Sequence, residues 1–426
     1  MEILLVIIFV VGYAAIALEH PIHINKAASA LITGVLCWTV YMIYNQDDPH
    51  TVNHHLQEHL GELSGILFFL LGAMVIVELV DSHNGFKIIT DRINTRDPRK
   101  LLWIVSFITF FLSAALDNLT TTIVMVSLLR KIITDKQRRL FFAGIIVVAA
   151  NAGGAWSPIG DVTTTMLWIG GQITTGAIIV KVFLPSVACL ALPLLYLSWK
   201  MKNDAPIVPV AQYDKESVAS IRERNMVFAL GVGGLLFVPI FKTVTHLPPY
   251  MGILLALGVL WTVTELLHHE KNTEEKGRLT VVHALQKIDA ASVLFFLGIL
   301  VAISALQSAG MLATLATWLA DTIGNQHIIV MAIGLLSAIV DNVPLVAAAM
   351  GMYPIEQIPV DDSFWLFLAY CAGTGGSCLI IGSAAGVAAM GMEKIDFFWY
   401  LKKISFLALL GYFAGVVVYF LQSQIF

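Results

Sequence analysis

The sequence predicts an all-α polytopic membrane protein of two inverted-topology repeats, each with a re-entrant helical hairpin and a broken transmembrane helix. Three observations lead there: an apolar composition, the placement of basic residues, and internal self-similarity. The 426 residues are 58% hydrophobic and 13% charged, with mean hydropathy +0.82. A soluble chain carries about 25% charged residues. Apolar runs long enough to cross a bilayer, roughly 20 residues each, recur from end to end. The net charge of −4 is too unevenly spread to name a partner other than the lipid bilayer, and nothing in it points to a nucleic acid. No cofactor is expected.

The first apolar stretch, Glu2 to Leu18, lacks a basic leader and a small-residue cleavage site, so it reads as a membrane helix. Cys37, Cys189, Cys371 and Cys378 lie in apolar runs without metal-ligand spacing and read as small packing residues.

Short cytoplasmic loops collect Lys and Arg. Five stretches do so: Lys87, Arg92, Arg96, Arg99 and Lys100; Arg130, Lys131, Lys136, Arg138 and Arg139; Lys200, Lys202, Lys215, Arg222 and Arg224; Lys271, Lys276, Arg278 and Lys287; and Lys394, Lys402 and Lys403. These are assigned to the cytoplasm, with Lys26. Connections 45–60, 170–176, 242–249, 321–327 and 353–363 are nearly free of basic residues, apart from Lys242, and are assigned outside. Both termini then lie outside a bacterial inner membrane.

Two apolar segments do not fit as single crossings. Residues 101–129 have basic flanks at both ends, and residues 328–352 have none at either end. Each is expected to be a hairpin that returns to its own side. Irregular backbone at membrane depth is tolerated only when buried in protein or lining a watery cavity.

Self-comparison supports a duplication. Leu67-Phe-Phe-Leu70 matches Leu294-Phe-Phe-Leu297. Ser113-Ala-Ala-Leu-Asp117-Asn118 matches Ser337-Ala-Ile-Val-Asp341-Asn342 at an offset of 224. Gly153, Gly154 and Gly160 match Gly375, Gly376 and Gly382 at an offset of 222. Loop charge gives the halves opposite orientation, an arrangement known in secondary transporters. The expected division is 1–60 for N-terminal scaffold helices; 61–199 for the first repeat, with hairpin 101–129 and broken helix 140–169; 200–291 for a cytoplasmic linker and central helices; and 292–426 for the second repeat, with hairpin 328–352 and broken helix 364–392.

The broken helices are expected from Asn151-Ala-Gly-Gly-Ala-Trp-Ser157-Pro158-Ile-Gly160-Asp161-Val-Thr163-Thr164-Thr165 and from Gly373-Thr374-Gly-Gly-Ser377-Cys-Leu-Ile-Ile-Gly382-Ser383. Glycine and proline favour unwinding there, which frees carbonyls and exposes helix ends. Asp117, Asp161 and Asp341 fall at membrane depth, where a carboxylate is costly and functional by default. Desolvation favours a neutral, protonated carboxyl, and a bound cation favours the charged one. Such an aspartate can hold a proton or a metal cation in competition. A small hard cation prefers oxygen ligands. Asn118, Thr120, Thr121 and Asn342 offer them in the hairpins, with Ser337 nearby. Asn151, Ser157, Thr163 and Thr164 offer them in the first broken helix, and Thr374, Ser377 and Ser383 in the second. The competing reading for each hydroxyl is a bond to its own helix.

Glu78 is placed to reach the adjacent basic loop, Glu62 to serve the outer surface, and Glu265 to end a helix beside His268 and His269. His50, His54, His55 and His59 read as a solvated loop, although His55 and His59 would share a helical face. His20 and His23 read as a helix-end turn.

The Asp-Asn hairpin tips, the two glycine-rich runs and the stretch Glu19-His-Pro-Ile-His23-Ile-Asn25-Lys26 together resemble the NhaD-type sodium/proton antiporters over essentially the whole chain. That family belongs with arsenite permeases and dicarboxylate/sodium symporters. The resemblance implies homodimers, elevator-like motion, and exchange of cytoplasmic Na+ and Li+ for external H+. It places Asp117, Asn118, Asn151, Asp161, Thr163, Thr164, Asp341, Asn342 and Ser377 in the ion path, with the Na+ site among Asp117, Asn118, Asp161, Asp341 and Asn342. The symporters carry Ser-Asn-Thr at their tips, so the aspartates here favour a cation over an anion. Pro344 stands where a Thr is expected, which makes the two tips unequal.

Two other readings compete. A same-fold carrier of arsenite or an organic anion would want basic residues in the core, and none falls in either hairpin or broken helix. An intramembrane aspartyl protease would pair Tyr-Asp with Gly-x-Gly-Asp. Here Asp117 follows Leu116, and Ile159-Gly160-Asp161 lacks the first glycine. No enzyme activity is expected.

Overall fold

The computed structural model describes residues 1–44, 49–90, 95–201, 206, 220–269, 277 and 279–424. Arg92, Lys202, Lys215, Lys271, Lys276 and Arg278 lie outside the described residues. Among the described residues the regular structure is entirely helical. Nine helices there are long and apolar enough to cross a membrane, which makes the chain a multi-pass membrane protein.

The N-terminal helices are α1 (Glu2–Ala17), α2 (Glu19–Ile22), α3 (Lys26–Tyr44), α4 (Pro49–Ser82) and α5 (Lys87–Thr90). Next come α6 (Pro98–Leu116), α7 (Asn118–Ile132), α8 (Lys136–Ala155), α9 (Val162–Ile169) and α10 (Thr175–Lys200). The second half opens with α11 (Ile221–Thr245), α12 (Pro249–Leu267), α13 (Val281–Lys287) and α14 (Ala290–Ser308). It continues with α15 (Met311–Ile323), α16 (Gln326–Leu336), α17 (Asn342–Met352), α18 (Ser363–Gly375) and α19 (Ala384–Glu393). The last helix, α20 (Phe397–Ser423), contains a π-turn at Leu401–Ser405.

The breaks fall at the motifs. α6 begins on Pro98 behind the Asp97 cap and stops at Asp117, which caps α7 through Thr120 N–H. α8 ends at Ala155, and Asp161 caps α9. Asp341 caps α17 and Ser383 caps α19. α15 and α16 meet at a bend of 114°.

Packing interleaves the halves. α3 lies along α14 and α4 along α12, while α7 touches α19 and α17 touches α9. α8 crosses α18 at the centre. α4 runs opposite to α14: Glu78 meets Lys287 at 3.3 Å near one end, and His59 meets Ser308 at 3.1 Å near the other. Connections 170–176 and 353–363 also join, because Thr174 N–H and hydroxyl both donate to the Asp361 carboxylate, at 2.6 and 2.8 Å.

Three expectations need correction. Residues 49–60 are not a loop: they form the first turns of α4, whose 34 residues rise about 51 Å at 1.5 Å each. Their polar side chains imitate a loop because that length exceeds the roughly 30 Å apolar layer. The four histidines there therefore lie on a helix, and among the described residues no cluster of His, Cys, Asp or Glu is arranged to hold a metal. Boundaries at residues 60 and 291 cut through α4 and α14, so they divide no structural unit.

Lys242, the basic exception in its connection, has a structural reason. Its Nζ donates to the Trp168 carbonyl at 2.7 Å and lies 4.4 Å from the indole centroid. It ties the end of α9 to α11. Glu78 reaches Lys287 and also accepts from Ser82 Oγ at 3.2 Å, and Glu62 stays on the surface. All four cysteines are buried and free.

Candidate functional site

The site is built where two helix breaks meet. Gly153 and Gly375 allow it. A Cβ on Gly153 would lie 2.1 Å from the Phe110 carbonyl oxygen, and one on Gly375 would lie 1.9 Å from that of Gly334. Only hydrogen at these positions lets each broken helix press against the neighbouring hairpin arm. Serines secure the same contacts: Ser113 Oγ donates to the Ala150 carbonyl at 2.6 Å, and Ser337 Oγ to those of Gly334 at 2.7 Å and Ala372 at 3.2 Å.

Asp161 is the centre. It is 2% exposed, and its two oxygens have different partners. Thr163 donates to Oδ1 from its N–H at 2.9 Å and its hydroxyl at 3.0 Å. Asn118 Nδ2 donates to Oδ2 at 2.8 Å and also to Asn151 Oδ1 at 3.0 Å. Asn151 Nδ2 then reaches Ser383 Oγ at 2.9 Å, and Thr164 Oγ1 returns to the Asp161 carbonyl at 2.9 Å. One network thus joins the start of α7, the break between α8 and α9, and the start of α19. Gly373 completes the crossing, since a Cβ there would lie 3.8 Å from Asp161 Oδ2 and 3.1 Å from Ala155 Cβ.

Asp117 stands beside this network with its own donors, Thr120 N–H at 2.7 Å and Thr120 Oγ1 at 2.8 Å. Its backbone is unusual: φ 127° and ψ 163° lie in a region that only glycine occupies freely. Strain of this kind clusters at functional sites. Asp117 and Asp341 are only partly buried, whereas Asp161 is buried, and the side chains bonded to Asp161 offer it no cation.

The other expected residues fall outside the network. Ser157 Oγ donates to the Ala114 carbonyl at 2.6 Å and so pins the break to the hairpin arm. Thr374 Oγ1 and Ser377 Oγ donate to carbonyls of their own helix turn, Tyr370 and Thr374, both at 2.6 Å. Thr121 is buried and its hydroxyl has no partner among the described residues, and the same holds for Asn342 Nδ2. The Asn342 case has a simple cause. The counterparts of Asn151 and Asp161, which satisfy Asn118, are Gly373 and Ser383 in the second half.

Asp341 is the residue the sequence reading placed least completely. Its Oδ2 lies 3.6 Å from Lys26 Nζ, at the start of α3. In the sequence Lys26 marks loop orientation and belongs to the Glu19–Lys26 stretch of the resemblance, with no sign of its partner. A second missed cluster is Glu393, whose side chain is 1% exposed between Arg130 and Arg139, each 2.7 Å away. Arg130 also donates to the Met392 carbonyl. This clamp fastens the end of α19 to the turn between α7 and α8. The signal for it was a glutamate at the edge of an apolar run, directly before Lys394.

A family model described as a citrate transporter matches residues 3–373. Sodium/proton antiporter 1 of Arabidopsis thaliana is 51% identical over 421 residues, covering 98% of this chain and 72% of its own length. Na(+)/H(+) antiporter NhaD of Vibrio cholerae is 30% identical over 446 residues, covering 98% of this chain and 91% of its own. The NhaD antiporter of Alkalimonas amylolytica is 29% identical over 444 residues. Likeness that runs through nearly every helix, and not through one motif alone, makes this chain a member of the NhaD-type sodium/proton antiporters, a family of transporters and not of enzymes.

Proposed function

We propose that this chain exchanges cytoplasmic Na+, and also Li+, for external H+, with Asp161 as the principal site of competition between cation and proton. The observation that carries the proposal is the Asp161 network: a 2% exposed carboxylate that accepts from Asn118 Nδ2 and from the N–H and hydroxyl of Thr163, with no ammonium or guanidinium bonded to it. A hard cation or a proton can neutralise it, and the two exclude each other. Asn118 and Thr163 hold the carboxylate, Asn151 holds Asn118, Thr164 bonds the Asp161 backbone carbonyl, and Asp117 is held by Thr120. Carboxylates at Asp117, Asp161 and Asp341, with the Lys26 ammonium paired to Asp341, speak against an organic anion or arsenite as cargo.

The two-repeat reading draws support from recurring contacts. Ser113 with Ala150 and Ser337 with Ala372 are the same contact at offsets of 224 and 222. Asn151 with Ser383 mirrors Gly373 with Asp161. Helix order is consistent with a repeat over residues 1–200 and 221–424, wider than the motifs alone indicate. The same reading keeps both termini outside a bacterial inner membrane and a second copy of the chain as partner.

The test is dye-reported ΔpH in everted membrane vesicles. Adding Na+ or Li+ to an acid-inside gradient dissipates it in the wild type, and Asp161→Asn abolishes the response. No response of the wild type to either cation between about pH 7 and pH 9.5 would overturn the antiport reading.

A further inference from the structure

The two hairpin-tip aspartates are compensated differently. Asp117 receives both donors of Thr120. The counterpart of Thr120 at the offset of 224 is Pro344, which has neither an N–H nor a hydroxyl. Asp341 keeps one long amide contact, from Val343 N–H at 3.3 Å. What it has instead is Lys26, with Nζ at 3.6 Å. The same ammonium lies 4.4 Å from the centroid of the Phe295 ring. Lys26 itself is fixed at the start of α3, where its backbone N–H donates to Glu19 Oε1 at 3.2 Å. The pair is partly buried, with side-chain exposures of 23% for Lys26 and 17% for Asp341, so solvent screens it less than a surface pair.

Resting on the antiport reading, we propose that Lys26 is a tethered competitor for the transported cation at Asp341. It is a positioning and specificity-determining residue whose ammonium holds the carboxylate until Na+ displaces it toward Phe295. A lysine suits this role. Its charge is a compact point on a flexible four-carbon stem, so it can withdraw without moving the backbone. The aromatic face gives the withdrawn ammonium a place that water alone would otherwise supply. Asp341 thus always faces a cation, either the protein's own or the transported one. Asp161, with no basic partner in its network, does not. The two halves therefore present unequal carboxylates to the same ion, one open and one guarded.

The experiment measures 22Na+ binding to purified protein and, separately, ΔpH in vesicles. Lys26→Met removes the competitor, and the half-saturating Na+ concentration should fall by about threefold to tenfold, as expected for a pair between exposed and buried. Lys26→Arg keeps the charge but grips a carboxylate more firmly, so half-saturation should rise about threefold while the protein remains folded. In an Asp341→Asn background both shifts should vanish. A change in maximal rate or protein yield with half-saturation unaltered in Lys26→Met and Lys26→Arg would overturn the proposal, since a structural role predicts that split. Persistence of the shifts in the Asp341→Asn background would overturn it too. If Lys26→Met does not fold, the Arg variant alone decides. Wild-type protein that binds Na+ without moving protons would sink the antiport reading and leave Lys26 to be judged by binding. Wild-type protein that binds no Na+ would overturn both.

Discussion

Asp161→Asn is the substitution whose result the structure specifies most fully. The side chain keeps its volume and one oxygen. That oxygen can remain toward Thr163, preserving the cap of α9, for which asparagine is as good as aspartate. The new NH2 then faces Asn118 Nδ2, 2.8 Å away in the wild type. Reversing the amides of Asn118 and Asn151 relieves the conflict, and Ser383 can donate where it accepted before. The hydrogen bonds survive and the charge does not. Fold stability should therefore change by less than about 1 kcal/mol. The cation loses a charged ligand, worth about 4 kcal/mol at 4 Å with an effective dielectric near 20. That corresponds to a weakening of Na+ binding by roughly 10²- to 10³-fold. The assay is 22Na+ binding to purified variant, with thermal unfolding in detergent as the control. A variant that binds Na+ within about tenfold of wild type, at unchanged stability, would refute Asp161 as an ion ligand.

Other expectations follow from the same geometry. Asp117→Gly relieves a backbone that costs about 1–3 kcal/mol and should melt at a higher temperature than Asp117→Asn, which keeps the strain; both should lose transport. Gly153→Ala places a methyl 2.1 Å from the Phe110 carbonyl oxygen and should remove folded protein from the membrane, whereas Gly176→Ala, with nothing within 4 Å, should be tolerated; yield and melting temperature tell them apart. Glu393→Ala leaves Arg130 and Arg139, both partly exposed, without their shared partner and should destabilise by about 1–3 kcal/mol, read by thermal unfolding.

Much of this arrangement is legible in the sequence because it is local or repeated. The breaks at Asp117, Ser157–Asp161 and Ser337–Asp341 announce themselves through polar residues and glycines in apolar runs. The chemistry around Asp161 could be assembled from three short motifs. What escaped was contact between distant elements. Lys26 and Asp341 share no motif, and a lysine at the edge of an apolar run serves equally as a topological marker. Glu393 needed two arginines from another helix turn to acquire meaning. The hydroxyls of Thr374 and Ser377 could not be sorted from that of Thr163 by sequence. All flank glycine-rich breaks, and only the structure shows that Thr374, Ser377 and Thr164 bond carbonyls of their own turns while Thr163 reaches a carboxylate. The first turns of α4 were misread because a helix that outruns the apolar layer becomes as polar as a loop.

The bond between Asn151 and Ser383 spans 232 residues of chain, and this bears on how the protein is made. Synthesis delivers helices to the membrane in order. Asp161 arrives with Asn118 and Thr163 already present, but Gly373 and Ser383 emerge only as the last quarter of the chain is translated. Throughout that interval the half-formed polar cluster lies without the helix that will cover it. Insertion machinery or water must shelter it until then. The polar cluster is thus completed only once Gly373 and Ser383 have been made, and a ribosome stalled before residue 373 would leave a membrane-embedded fragment with an uncovered carboxylate for quality control to find.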